Sequence, residues 1–255
     1  MSQNKSNIEI LEKGNIYFGY TPKVERDEVE GMSDVRQFFF VLAPHGKQSY
    51  RLIVIGKKRF PEVEGSNNNN WCFVNSVSQD AKKIEQELRA QTYSTKTLGE
   101  RLQPAARPVG EGIYEIVKHR NHTNLIYALE LPEDLGEAQK ALGIKTEASY
   151  IITIKNPQNS SPKGMGLSKE EKADLPEHLQ NRFEQRRFVP AEPPEFLDYP
   201  GVELILIGAS SDIAAELGIE LDPATETENT AEILNDLRMR KSRHPIEPLF
   251  TGEWR

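Results

Sequence analysis

The chain has 255 residues but a single cysteine, Cys72, which excludes an intrachain disulfide and a cysteine-rich zinc site. It also lacks any run near the roughly 20 apolar residues that a membrane-spanning helix needs. The longest apolar stretches, residues 38–43 and 52–55, have the length of strands, and no apolar segment of signal-peptide type begins the sequence. These absences predict a soluble, cytoplasmic protein that does not interact with a membrane.

An excess of basic residues is also missing, because 32 Lys and Arg face 39 Asp and Glu, for a formal net charge of −7. Nucleic-acid-binding proteins usually carry a basic excess, so nucleic acid is disfavoured as a partner. The charge is unevenly distributed: residues 212–236 hold eight acidic side chains and no Lys or Arg, and a short basic cluster at residues 238–243 follows. The acidity therefore belongs largely to the C-terminal segment.

Eight segments rich in β-branched and aromatic residues predict strands, at residues 15–20, 36–43, 50–57, 71–77, 112–118, 123–131, 149–155 and 202–208. The first four are joined by short polar links, which predict antiparallel pairing. Capping signals and apolar spacing predict helices over residues 78–91, 133–142, 168–174, 176–187, 211–217 and 230–240. We therefore expect an α+β fold, with a mixed, mostly antiparallel sheet of about eight strands and helices packed mainly on one face.

The expected organisation is a single domain over residues 1–255. Residues 189–200 contain four prolines and predict a stiff connector. An alternative division places the main sheet in residues 1–188 and a C-terminal strand–helix unit with an apolar tail in residues 201–255. Residues 65–70, with the sequence GSNNNN, predict a polar loop.

A cluster of glycines and basic residues in residues 96–112 is the first candidate binding site. It contains Lys96, Arg101 and Arg107. Glycines let backbone N–H groups approach an anion, and the planar Arg side chain suits phosphate or carboxylate. The spacing is not that of a P-loop. Two interpretations stay open: a loop that binds a phosphorylated or carboxylated ligand, or a surface loop whose basic residues pair with neighbouring acids.

His119 and His122 lie three residues apart in the link between two predicted strands. As ligand-site residues they would carry protons for a molecule held by Arg101 and Arg107. The alternative is a polar turn. A zinc site needs three or four ligands, and no third is evident, so no metal and no cofactor is predicted.

The C-terminal region is the candidate partner-binding surface, through Arg238, Arg240, Phe250 and Trp254. Acids that precede a helix at 230–240 and bases that end it suit the helix dipole, which is sufficient explanation for the pattern without a partner. The tail, residues 244–255, is unusually apolar for a terminus. We expect it to dock on its own chain, with docking on a second subunit of a homo-oligomer as the alternative.

No catalytic motif is complete, since G-x-S-x-G and H-E-x-x-H are both absent. The first hypothesis is therefore a non-catalytic binding or regulatory module whose partner is another protein or a second copy of the chain. The alternative hypothesis is an enzyme or sensor for a small phosphorylated or carboxylated ligand held by residues 96–112. Whether the protein is an enzyme stays open at this level.

Overall fold

A computed structural model of the chain describes residues 8–63, 69–97, 99–162 and 164–255. The strands within these ranges are β1 Ile8–Pro22, β2 Val35–Pro44, β3 Tyr50–Ile55, β4 Asn69–Ser78, β5 Gln91–Thr95, β6 Gly99–Gln103, β7 Arg107–His119, β8 His122–Leu131, β9 Glu147–Lys155, β10 Phe188–Pro190 and β11 Glu203–Ser210. The helices are short: α1 Ala81–Leu88, α2 Glu137–Leu142, α3 Glu177–Gln180, α4 Ile213–Leu217, α5 Glu232–Asn235 and α6 Glu247–Thr251. Single 3-10 turns lie at Met32–Asp34, Asn181–Phe183 and Pro194–Asp198.

Eight of the strands form a closed antiparallel barrel. Their order around it is β9, β11, β4, β3, β2, β1, β7 and β8, and β8 pairs back onto β9. The short strand β10 extends the edge of β9 beyond the end of β8. The hairpin of β5 and β6 forms a separate two-stranded ribbon. No helix in the described ranges is long and apolar enough to cross a membrane.

The expected α+β fold, with helices on one face of a sheet, is wrong. The eight predicted strands coincide with the eight barrel strands, but the sheet closes on itself and the protein is mostly β. Closure depends on which strands become neighbours across long sequence separations, and local patterns carry no information about that choice. The helix predicted over residues 230–240 is reduced to α5, and residues 168–174 form turns.

The segments predicted as loops also differ from the structure. Within residues 96–112, most positions belong to β6 and β7 rather than to one long loop, and Leu98 lies outside the described residues. Of the predicted polar loop at residues 65–70, Asn69 and Asn70 begin β4, and residues 65–68 are not described. The proline-rich residues 189–200 contribute buried side chains, among them Phe196 and Leu197, to the main core.

The barrel interior is filled by side chains that alternate along each strand. On β1, Ile16 and Phe18 point into the barrel core, whereas Tyr17 between them packs in a second cluster outside it. Phe60, in the link from β3 to β4, lies among five aromatic rings of the core, with ring centroids 5.0 Å from Tyr150 and 5.4 Å from Phe38. The interior is therefore an aromatic core.

The C-terminal segment and α1 cover the outside of the barrel next to β1, β2 and β3. Ile84 of α1 and Leu237 of the C-terminal segment pack with Tyr17 and Val41 in the second cluster. Trp254 reaches Tyr20 with a centroid distance of 5.3 Å, and Phe250 packs half-buried against the second cluster. The apolar tail thus docks on its own chain, as one of the two sequence-based alternatives expected.

A buried carboxylate, Glu111 of β7, holds the start of α5. Its two oxygens accept hydrogen bonds from the backbone N–H groups of Glu232, at 3.2 Å, and Ile233, at 2.7 Å. Burial raises the pKa of Glu111 to about 8; the two backbone N–H donors act against this rise, and the nearby charges of Glu226 and Glu130 add to it. The attachment of the C-terminal segment to β7 is therefore linked to the protonation state of Glu111.

Replacing Phe60 by Ala tests the importance of the aromatic core. We expect Phe60→Ala to lower the free energy of unfolding by about 3–5 kcal/mol, because a large side chain that is 1% exposed leaves a cavity. Urea denaturation followed by circular dichroism measures the change. The matched control is Tyr93→Ala on the separate ribbon, where 43% of the residue is exposed and the change should stay within about 0.5 kcal/mol. A loss at Phe60 no larger than at Tyr93 would contradict this core.

Glu111 should make the stability of the protein decrease from pH 5 to pH 8.5. Its folded pKa lies above its unfolded value, so the folded state binds the extra proton in this window and loses that advantage as the pH rises. Glu111→Gln should therefore flatten the dependence of the unfolding free energy on pH, measured by urea denaturation. Glu253→Gln, at an exposed position, should leave the slope unchanged. Equal slopes for wild type and Glu111→Gln would refute the linkage.

Candidate functional site

A cavity of about 410 Å³ lies beside the first residue of β7. It is lined by the β6–β7 region, by Asp27 between β1 and β2, and by the C-terminal segment. Its charged or ionisable side chains are Arg107, Lys241, Arg243, His244, Arg255, Asp27 and Glu247. Four of these are cationic at neutral pH and two are anionic, so the cavity has a positive character although the whole chain is acidic.

Arg107 forms the buried wall of this cavity. Its side chain is 1% exposed, and its Nη2 donates a hydrogen bond to the backbone oxygen of Asp27. The Asp27 carboxylate lies 3.8 Å from Nη2, but that side chain is 89% exposed and is largely solvated. The remaining nitrogens, Nε and Nη1, are buried and have no hydrogen-bond partner in the described part of the chain. A buried, charged donor without a partner is energetically unfavourable and calls for an explanation.

The surroundings of Arg107 fix its position. It pairs with Tyr20 across β1 and β7, and the Tyr20 hydroxyl contacts the backbone of Arg255. Burial lowers the pKa of the Arg107 guanidinium, and the charges of Tyr20 and Asp27 act in the opposite direction. Because the ordinary pKa of arginine is so high, the side chain stays cationic despite this shift. A permanent positive charge is therefore held at the cavity wall.

A second buried carboxylate, Glu85 of α1, brings the C-terminal basic residues to the cavity. It accepts a hydrogen bond from Arg89 Nε at 2.6 Å, and Arg243 Nη1 lies 3.4 Å away. The ring of His244 lies between Ala106 and Glu85. Its Nδ1 is 2.9 Å from the backbone oxygen of Ala106, and its Nε2 is 3.6 Å from the Glu85 carboxylate. Burial lowers the pKa of His244, and its contacts with Ala106 and Glu85 oppose that effect. Together these contacts place residues 241–244 against the start of β7.

The predicted ligand residues do not all reach this cavity. Of the three basic residues proposed for residues 96–112, only Arg107 lines it. Lys96 lies exposed in the turn between β5 and β6. Arg101 lies on β6, where its Nε is 3.4 Å from Glu25.

The two predicted histidines lie at the far end of β7 from Arg107. His119 and His122 join β7 to β8, and their rings contact each other at 5.2 Å. Burial, followed by the charge of His119, lowers the pKa of His122. Twelve residue steps of β7 separate Arg107 from His119, so the two side chains belong to opposite ends of the strand. Among the described residues, no group of three or more His, Cys, Asp or Glu side chains has the geometry to hold a metal ion.

The predicted partner-binding residues fall into an exposed pair and a half-buried pair. Arg238 and Arg240 are exposed, whereas Phe250 and Trp254 are half-buried against the chain itself. Sequence reasoning missed His244 and Glu247 as cavity residues, although they adjoin the basic cluster that it noticed. The signal available was the mixture of basic residues and apolar residues that follows residue 240.

Cys72, the only cysteine, lies inside the barrel and is fully buried. Burial strongly raises the pKa of its thiol, so the reactive thiolate is disfavoured.

No protein-family model, curated protein or solved structure matches this chain. Its function must therefore be inferred from the cavity and the residues that line it.

Arg107 should reduce the stability of the ligand-free protein. We expect Arg107→Met, which keeps a long unbranched side chain, to raise the free energy of unfolding by about 1 kcal/mol or more, since it removes buried donors that lack partners. Urea denaturation in a buffer of low ionic strength without phosphate or carboxylates measures this. A large loss of stability would instead assign Arg107 a structural role.

Proposed function

We propose that this protein is a non-catalytic binding module that recognises a small phosphorylated or carboxylated molecule in the cavity at Arg107. The observation that carries the proposal is the buried Arg107 guanidinium, whose Nε and Nη1 have no partner in the described residues. Nε and Nη1 lie on different edges of the guanidinium, and each forms a two-nitrogen fork only together with Nη2, which binds the backbone oxygen of Asp27. An anion that takes Nη2 from Asp27 would gain such a fork for two oxygens of a carboxylate or phosphate. The free energy that the burial of these nitrogens costs is recovered when an anion binds.

The surroundings of Arg107 support an anionic ligand. Lys241, Arg243 and Arg255 also line the cavity, and they favour the approach of a negative charge. Nε and Nη1 are shielded from solvent, so an incoming anion has to displace a neighbouring group. Asp27 is the group to be displaced, because its backbone oxygen occupies Nη2, which both edges of the guanidinium share, and its own side chain is 89% exposed.

The positions of the histidines favour a protein that binds its ligand without catalysing a reaction. The sequence offers His119 and His122 as possible proton carriers, and both lie at the opposite end of β7 from Arg107. His244 is the histidine that lines the cavity, and its Nδ1 is engaged by the Ala106 oxygen. We infer a cytoplasmic location for this function from the single, unpaired cysteine, and cell fractionation tests that location.

Titration calorimetry with ethyl phosphate, inorganic phosphate and propionate tests the proposed function. We expect at least one of these anions to bind the wild-type protein at millimolar or lower concentration, and Arg107→Gln to weaken that binding by about 10-fold or more. Affinity should fall at high salt, because the attraction is electrostatic.

Arg240→Gln provides the matched control, since Arg240 lies in the same basic cluster but is exposed and does not line the cavity. Its affinity should stay within about 2-fold of wild type, the range expected for loss of one screened surface charge. Equal losses in Arg107→Gln and Arg240→Gln would mean that only overall charge matters. Absence of binding for every anion would refute the proposed function.

A further inference from the structure

Glu247, the first residue of α6, is an acid in the wall of the positively charged cavity. Its Oε2 atom is buried and has no hydrogen-bond partner in the described part of the chain. The cavity is also lined by Arg107, Lys241, Arg243 and Arg255, yet among the described residues none of these cations lies within 4.0 Å of the Glu247 carboxylate. Two residues of the same cavity wall therefore carry unpartnered buried atoms, a donor on Arg107 and an acceptor on Glu247, and a ligand reaches both when it displaces the groups that shield them.

The two groups are close enough to influence each other electrostatically. Burial lowers the pKa of the Arg107 guanidinium, and the Glu247 carboxylate acts in the opposite direction. Arg107 and Glu247 line the same cavity without forming an ion pair with each other. A ligand that carries an anion at one end and a charged hydrogen-bond donor at the other would pair with both groups at once.

Asp27, the other acid of the cavity, does not present a buried carboxylate oxygen that lacks a partner. Its side chain is 89% exposed, so water already solvates the carboxylate and a ligand would gain little by replacing that water. The buried oxygen of Glu247 has lost its contact with water, and a charged donor would restore a strong hydrogen bond. Glu247 is therefore the acid that would distinguish one anionic ligand from another.

Resting on the proposed function, we propose that the cavity selects a small zwitterion, in which a phosphate or carboxylate binds Arg107 and an ammonium group binds Glu247. The cavity volume of about 410 Å³ suits a molecule of this size. Glu247 acts as a specificity-determining residue, and Arg107 supplies the main anchor. The recognised feature is the pair of opposite charges, which phosphorylated amines and amino acids share.

Two matched pairs of probes test this inference by titration calorimetry. Phosphoethanolamine and ethyl phosphate differ by the ammonium group, as do β-alanine and propionate. We expect the zwitterion of the pair that binds to be preferred by roughly 10- to 100-fold, the range that one charged hydrogen bond provides. The pair that binds more tightly identifies phosphate or carboxylate as the preferred anion.

Glu247→Gln should reduce that preference to about 3-fold or less, since only the weaker neutral hydrogen bond remains. Its affinity for the simple anion should be equal to or higher than that of the wild type, and this retained binding also reports that the variant is folded. Glu253→Gln, an exposed acid of the same tail, should keep the full preference. Glu247→Asp, which shortens the side chain, provides a second variant if Glu247→Gln does not fold.

The outcomes separate this inference from the proposed function. Equal affinity of the wild type for both members of each pair, with binding lost in Arg107→Gln, would overturn the role of Glu247 and leave anion binding intact. A preference that survives in Glu247→Gln would also overturn it. Absence of binding for all four probes would overturn both proposals.

Discussion

The pairing of β8 with β9 is the interaction on which the rest of the structure depends. Six residue pairs, from Thr123 with Ile152 to Ala128 with Glu147, join these strands and close the sheet. A closed barrel has no free edges, and every second side chain of each strand points into its interior. Aromatic residues around Phe60 fill that interior. The helices and the C-terminal segment must then pack outside, and the candidate site lies beside the end of a strand.

The C-terminal segment depends on a few buried polar contacts for its path around the barrel. Glu111 binds the backbone at the start of α5, and Glu85 lies against Arg243 and His244. At the end of the segment, Trp254 packs against Tyr20. These contacts bring residues that are more than a hundred positions apart in the sequence, such as Arg107 and Glu247, to the same cavity. Backbone groups of the acidic half and the side chains of Arg243 and His244 therefore make intrachain contacts.

Two buried cations of this protein illustrate how structural and functional charges differ. Lys155 donates to Glu203 and to the backbone oxygens of Asn156 and Asn159, so its ammonium group has three acceptors. Glu203 in turn accepts hydrogen bonds from neighbouring groups, and the pair fastens the residues after β9 to the barrel. Arg107 is just as buried, but two of its nitrogens have no partner. A complete set of partners indicates a structural role, and an incomplete set at a cavity suggests a ligand.

The sequence by itself determined where the barrel strands lie, because β-branched and aromatic segments separated by polar turns specify extended structure locally. It also singled out Arg107, since a basic residue among glycines suggests anion binding. It did not determine the closed barrel, the short length of α5 or the separation of Arg107 from His119. Those features follow from strand pairing and from burial of distant segments, which only the tertiary structure decides. Glu247 and His244 join Arg107 for the same reason: their neighbourhood arises from the path of the chain, and no local pattern encodes it.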